Sequence, residues 1–222
     1  MDLNKLILTK NDCFKAGVKI KPEGIMVHST GVNNPNLKRY VGPDDGRLGE
    51  NHYKNYWNQA RPDGREVCVH AFIGKLGNGK IATYQTLPWD HRAWHAGGLA
   101  NDTHIGFEIC ENNDSAYFHG AYIEALELCA YLCQKFYLIE RDVIGHNEGY
   151  KQGIASNHAD PEHWFKKYGK SMNSFREDLK VLLLGEKLYR IQLGAFRSKD
   201  NAEKLLVRVK QAGFNDAFVK VE

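Results

Sequence analysis

Short apolar runs bounded by glycine and polar clusters alternate along this chain with two longer segments of helical period. That alternation limits the possible folds more than any other feature of the sequence. GIMVHST reads as a buried strand ending in polar residues, and VCVHAFIG and KIATYQTL read as a hairpin around the glycine turn at Gly74–Gly79. THIGFEIC, Thr103–Cys110, reads as a strand with Phe107 and Ile109 on one face and Glu108 on the other, because side chains alternate along a strand. Within Ala121–Phe136, Leu126, Cys129, Cys133 and Phe136 recur at helical spacing; within Met172–Leu184, so do Met172, Phe175, Leu179 and Leu182. Strands and helices in turn predict an α/β domain with a mixed central sheet flanked by helices.

The chain has 222 residues, 42% hydrophobic and 26% charged, which suits one globular domain with a small appendage and excludes wholesale disorder. No run approaches the ~20 apolar residues of a membrane span, so no membrane insertion is expected. The start, MDLNKLILTKNDCFK, lacks the apolar stretch and cleavage site of a secretory signal, and synthesis in the cytoplasm is expected. GEK at 185–187 marks a boundary between a main domain, 1–184, and a unit at 188–222. In that unit YRIQLGAF alternates as a strand, Asn201–Ala212 carries a helical apolar face closed by Gly213, and Ala217–Val221 reads as a second strand. A β-α-β unit of about 35 residues is below the size that usually stands alone, so it should pack on something. Seven of the 30 Lys/Arg and four of the 27 Asp/Glu lie there, so the net charge of +3 sits in the tail. Such a tail suits an anionic surface, a cell wall or nucleic acid, and equally well a solvated basic face with no partner.

Five cysteines, 13, 68, 110, 129 and 133, form an odd set with no CxxC pair. They read as buried, reduced thiols rather than as a zinc site.

Two of the ten histidines stand out. His28 closes a strand before Ser-Thr-Gly, and His146 follows the apolar DVIG in the same fashion. Asp160 lies fourteen residues later, directly before a proline. Two imidazoles and a carboxylate suit Zn²⁺ and leave a fourth position open; single histidines at strand ends are also common as ordinary surface residues. Glu108, in the middle of an apolar strand, must face water, a cation or a partner, because burying it unpaired is costly. Beside zinc it would take the proton of an attacking water; the plain alternative is a sheet residue facing solvent.

From about Pro22 to Trp164 the chain resembles the zinc-dependent N-acetylmuramoyl-L-alanine amidases of the type-2 class. The resemblance rests on IMVHSTG, VHAFIG, AWHAGG, IGFEIC and the pair IGHNE…HADP, in the family's order. It implies one catalytic zinc held by His28, His146 and Asp160, with no cysteine ligand, and Glu108 as the catalytic base. Two residues before the third ligand the family often has a lysine that stabilises the oxyanion; His158 stands there, as a donor in the same role or as a substitute ligand. Trp94 and His95 are expected to line the substrate groove, with packing as the alternative.

The activity implied is hydrolysis of the bond between N-acetylmuramic acid and L-alanine in peptidoglycan. It would be carried out by a phage endolysin made in the host cytoplasm and then released to the wall, with no nucleic acid partner. A non-catalytic peptidoglycan-binding protein and a cytosolic muropeptide-recycling amidase are the alternatives. The tail resembles the first half of a SPOR domain, which in general binds glycan. Two chains pairing their halves as a homodimer is one expectation; an edge-packed stabilising tail is the other.

Overall fold

The computed structural model describes residues 1–185, 193–214 and 219. In chain order the elements are β1 (Leu3–Lys5), α1 (Asp12–Ala16), β2 (Gly24–Asn33), β3 (Ala71–Lys75), β4 (Ile81–Gln85) and β5 (His104–Glu111). Then come α2 (Ser115–Phe136), β6 (Val143–Gly145), α3 (His146–Lys151), α4 (Glu162–Phe165), α5 (Met172–Leu183) and α6 (Lys199–Gln211). The chain divides into two compact units, Met1–Gly185 and Glu186–Glu222.

The strands form one six-stranded sheet in the order β1-β4-β3-β5-β2-β6. Only β3 and β4 pair antiparallel, as the hairpin expected from the glycine turn; the other pairs are parallel. This is the mixed sheet read from the sequence.

One face of the sheet is largely apolar, with Thr83 of β4 bonded to Glu124 of α2. Ile25 and Val27 of β2, Phe107 and Ile109 of β5, and Ala71 and Ile73 of β3 pack on α2 and on Met172, Phe175 and Leu179 of α5. Full burial of such side chains stabilises the fold by roughly 1.5–3 kcal/mol each. The helix start is set by Asp114, whose side chain accepts from the Tyr117 amide. The stripe that α2 buries is broader than the one expected. Cys129 and Cys133 are in the core as read, joined by Phe118, Ala121, Tyr122, Ala125, Leu128 and Leu132, while Leu126 and Phe136 lie at the margin. The helix is apolar around much of its girth, so period alone does not select the face.

The opposite face carries a row of residues in register: His28 on β2, Glu108 on β5, Phe72 on β3 and Tyr84 on β4. Phe72 and Tyr84 are covered by Leu37, Tyr40, Leu48 and Trp57 from the long β2–β3 connection. A second apolar patch, Met26, Ala96, Ala100 and Ile144, covers the sheet on the other side of the row. His28 and Glu108 therefore lie between two apolar patches.

The cysteine expectation needs correcting. Cys13 of α1 and Cys68 form a disulfide across 55 residues of chain, with Cα atoms 6.4 Å apart, while Cys110, Cys129 and Cys133 are buried and free. The fold brings α1 beside the segment before β3, a proximity that counting cysteines does not reveal.

In the C-terminal unit α6 occupies the expected helical segment, and Gly213 follows it with φ of 100°. The expected strand at 217–221 and the first half of that at 189–196 lie outside the described residues but for Val219, while the described residues 193–196 form no strand. No described helix is long and apolar enough to cross a membrane.

Candidate functional site

Each of the three candidate ligands is placed by a different element. His28 is a β2 residue, 1% exposed. His146 is the first residue of α3, directly after β6, the sheet's edge strand beside β2. Asp160 lies in the loop before α4, and its carbonyl accepts from the Asn147 amide at 3.1 Å, which ties that loop to the start of α3. The three side chains meet. His28 Nδ1 is 3.0 Å from Asp160 Oδ2, His146 Nδ1 is 3.6 Å from Asp160 Oδ1, and the two Nδ1 atoms are 3.0 Å apart. One ligand atom from each falls within 4.8 Å of the others.

The far side of His28 decides which nitrogen carries its proton. His95 Nε2 lies 3.2 Å from the His104 carbonyl, which can only accept. Burial, the largest influence, pushes the His95 imidazole well below its ordinary value, so the ring is neutral and its Nδ1 is an acceptor. His28 Nε2–H then donates to His95 Nδ1 at 2.8 Å, and His28 Nδ1 is left as a bare lone pair facing a carboxylate oxygen. Two acceptors at that separation repel unless a proton or a metal ion lies between them. Nitrogen and oxygen donors converging in this way fit a divalent cation of the zinc type.

Gly106 makes the His95 contact possible. A Cβ at this β5 position would come within 2.4 Å of His95 Nδ1, so any other residue would push that ring off His28.

Glu108 sits in register beside His28, and its Oε2 is enclosed with no hydrogen-bond partner. Burial first, then the charges of Asp160 and Glu111, push its carboxyl well above the ordinary range. A carboxylate so placed readily takes up a proton. Glu108 as a whole is half-buried, on the sheet face opposite Phe107 and Ile109.

His158 is exposed and lies outside the three-ligand set; its Nδ1 is 3.0 Å from Ser156 Oγ, and its ring centroid is 4.6 Å from that of His146. Trp94 is half-buried against Cys13, Cys68, Leu87 and Ala93, and both nitrogens of His95 are engaged as described. Ser156 and Asn101 bind these groups without having been signalled by the sequence. Both are small polar loop residues of a kind found throughout the chain. Gly106 inside the IGFEIC strand and Gly97 of AWHAGG are the residues that could have signalled these close approaches.

A family model described as N-acetylmuramoyl-L-alanine amidase matches residues 19–163. The chain belongs to this family. The match spans all three candidate ligands and Glu108, and a second model, described as a SPOR domain, matches residues 185–222 of this amidase-family chain. Protein Ami of Listeria monocytogenes serotype 1/2a is 25% identical over 209 residues, covering 90% of this chain and 20% of that protein. The chain thus spans about a fifth of the length of that curated relative. Among solved structures, Staphylococcus aureus hydrolase AmiA in complex with its ligand superposes with a TM-score of 0.58 at 21% identity, covering 83% of this chain and 85% of that one. A mutant endolysin from Bacillus subtilis superposes with a TM-score of 0.54 at 24% identity, covering 81% and 99%. These likenesses establish that the amidase-family chain shares their fold.

Proposed function

We propose that the protein hydrolyses the amide between the lactyl group of N-acetylmuramic acid and the first L-alanine of the peptidoglycan stem peptide, in the role of a phage endolysin. The observation that carries this reading is the convergence of His28 Nδ1, His146 Nδ1 and the Asp160 carboxylate, with the enclosed Glu108 in register beside His28. Family membership supports the bond chosen, and the fold shared with a Bacillus subtilis endolysin supports the lytic role.

His28, His146 and Asp160 would hold zinc, which when bound polarises a carbonyl and readies water for attack at neutral pH. Glu108 accepts a proton from the attacking water as the new C–O bond forms. It passes that proton to the stem-peptide nitrogen as the C–N bond breaks, giving a lactyl carboxylate and a free alanine amine. His158, exposed beside the cluster, donates in its doubly protonated form a hydrogen bond from Nε2 to the carbonyl oxygen as charge develops there, an interaction worth about 3 kcal/mol in comparable hydrolases. The SPOR match supports attachment to the wall rather than action on soluble fragments.

Mass spectrometry of digested cell wall tests the reading. Free N-terminal alanine without new reducing sugar ends is expected. New reducing ends, or no new amines, would overturn it.

A further inference from the structure

Ser156 makes more contacts to the site than its place in a loop suggests. Its Oγ lies 3.0 Å from the Ala96 carbonyl, 3.2 Å from His146 Nε2 and 3.0 Å from His158 Nδ1. A carbonyl can only accept, so the hydroxyl proton goes to Ala96 and the oxygen lone pairs are left for the two imidazoles. His146 Nε2–H then donates to Ser156, and the bare lone pair of His146 is at Nδ1, the atom facing His28 and Asp160.

The carbonyl that orients Ser156 belongs to the residue after His95, which orients His28. Both residues hang from one buried side chain: Asn101 Oδ1 accepts the His95 amide at 2.9 Å and the Ala96 amide at 2.8 Å. The Ser156 amide returns a bond to the Ala96 carbonyl at 2.7 Å. Gly97, at φ of 66°, leaves space for this approach, since a Cβ there would lie 2.9 Å from Ser156 Oγ.

We propose that Ser156 is a positioning residue whose hydroxyl, oriented by the Ala96 carbonyl, sets the tautomer of His146 and the orientation of His158 together. The Asn101-held segment 95–96 is thereby the common anchor of both imidazole ligands. The proposal rests on the metal-site reading of His28, His146 and Asp160. It extends that reading to residues that touch neither metal nor substrate, and it explains how ligands from a strand and from the start of a helix present the same ring nitrogen to one point.

The test is zinc affinity of the full chain by competition with a chromophoric chelator, alongside kcat and KM on purified wall. Ser156→Ala, which removes only an oxygen, should bind zinc 10- to 100-fold more weakly, the range for loss of a ligand's outer partner, and should lower kcat with KM little changed. Ser156→Thr, which restores the hydroxyl, should recover both. Equal zinc affinity in wild type and Ser156→Ala overturns the proposal, and so does a loss in Ser156→Thr as large as in Ser156→Ala, which would trace the effect to packing. The unsubstituted zinc-loaded protein supplies a readout free of any folding defect. Its ¹⁵N spectrum should show His146 protonated at Nε2; a proton on Nδ1 overturns the proposal. Wild type that takes up no zinc would instead sink the metal-site reading itself.

Discussion

His28 and His95 meet edge to face, with ring centroids 5.0 Å apart and His28 Nε2 2.8 Å from His95 Nδ1. The pair links a backbone carbonyl of β5 to a point shared by three acceptors, so the orientation of a functional ring is set by the sheet itself. His95→Ala should therefore weaken zinc binding by roughly 10- to 100-fold. Chelator competition measures this, and an unchanged affinity would show that His28 needs no such support.

Removal of metal gives a direct check on the converging ligands. Dialysis against a strong chelator should abolish release of alanine amines from cell wall, and one equivalent of zinc should restore it. Asp160→Ala should keep the fold and lose that restoration at stoichiometric zinc. Full activity in a metal-free sample would end the proposed mechanism.

Glu108→Gln should separate function from stability. Turnover should fall by about 10²- to 10⁴-fold if the carboxylate is the general base. The folded carboxyl is raised above its unfolded value, so ionisation at neutral pH favours the unfolded chain, and a side chain that does not ionise escapes that penalty. Thermal melts of the metal-free protein at pH 7 should accordingly show the variant as the more stable. A lower melting temperature would contradict the burial account, and unaltered turnover would remove Glu108 from its role.

His70 predicts a pH dependence of stability. It is fully buried, accepts from the Gly106 amide at Nδ1 and donates from Nε2 to the His91 carbonyl. Burial pushes its imidazole down to about 4. The unfolded chain takes up this proton near the ordinary value of 6.5 and the folded chain only near 4. Between these values the unfolded state binds more protons, and stability falls as pH drops through the window, by about 3 kcal/mol at its end. Urea unfolding across the window should show a shallower fall for His70→Asn than for wild type. Equal slopes would assign the acid sensitivity to carboxylates elsewhere.

The Cys13–Cys68 link should be countable. Under denaturing, non-reducing conditions a thiol reagent should label three cysteines, and after reduction five. Closing a loop of this length stabilises a fold by about 4 kcal/mol in the chain-entropy account, so reduction should lower the unfolding midpoint. Five reactive thiols without reductant would return all the cysteines to the reduced state expected from sequence.

Deletion of residues 186–222 should weaken association with intact sacculi while leaving cleavage of small soluble muropeptides near wild type. Co-sedimentation and peptide release measure the two. Equal losses in both would assign the segment a folding role.

The elements of the main unit were largely legible in the chain because hydrophobic period is a local property. The β3–β4 hairpin, the IGFEIC strand with Glu108 set against Phe107 and Ile109, and both long helices follow from it. His28, His146 and Asp160 were legible as ligand types in a family's order, a pattern carried by residue identity. What the sequence could not contain was distance. The 3.0 Å separation of His28 and His146 Nδ1 atoms arises because β6 adds to the sheet beside β2. The disulfide arises because α1 folds back beside the segment before β3. The roles of His95, Asn101 and Ser156 depend on hydrogen bonds to particular backbone carbonyls and amides, which have no signature in side-chain type. Local pattern chose the strands, helices and chemistry; long-range pairing of the backbone decided which nitrogen of each ring faces the ligand point, because only the assembled fold brings His95 and Ser156, with the carbonyls that orient them, against His28 Nε2 and His146 Nε2.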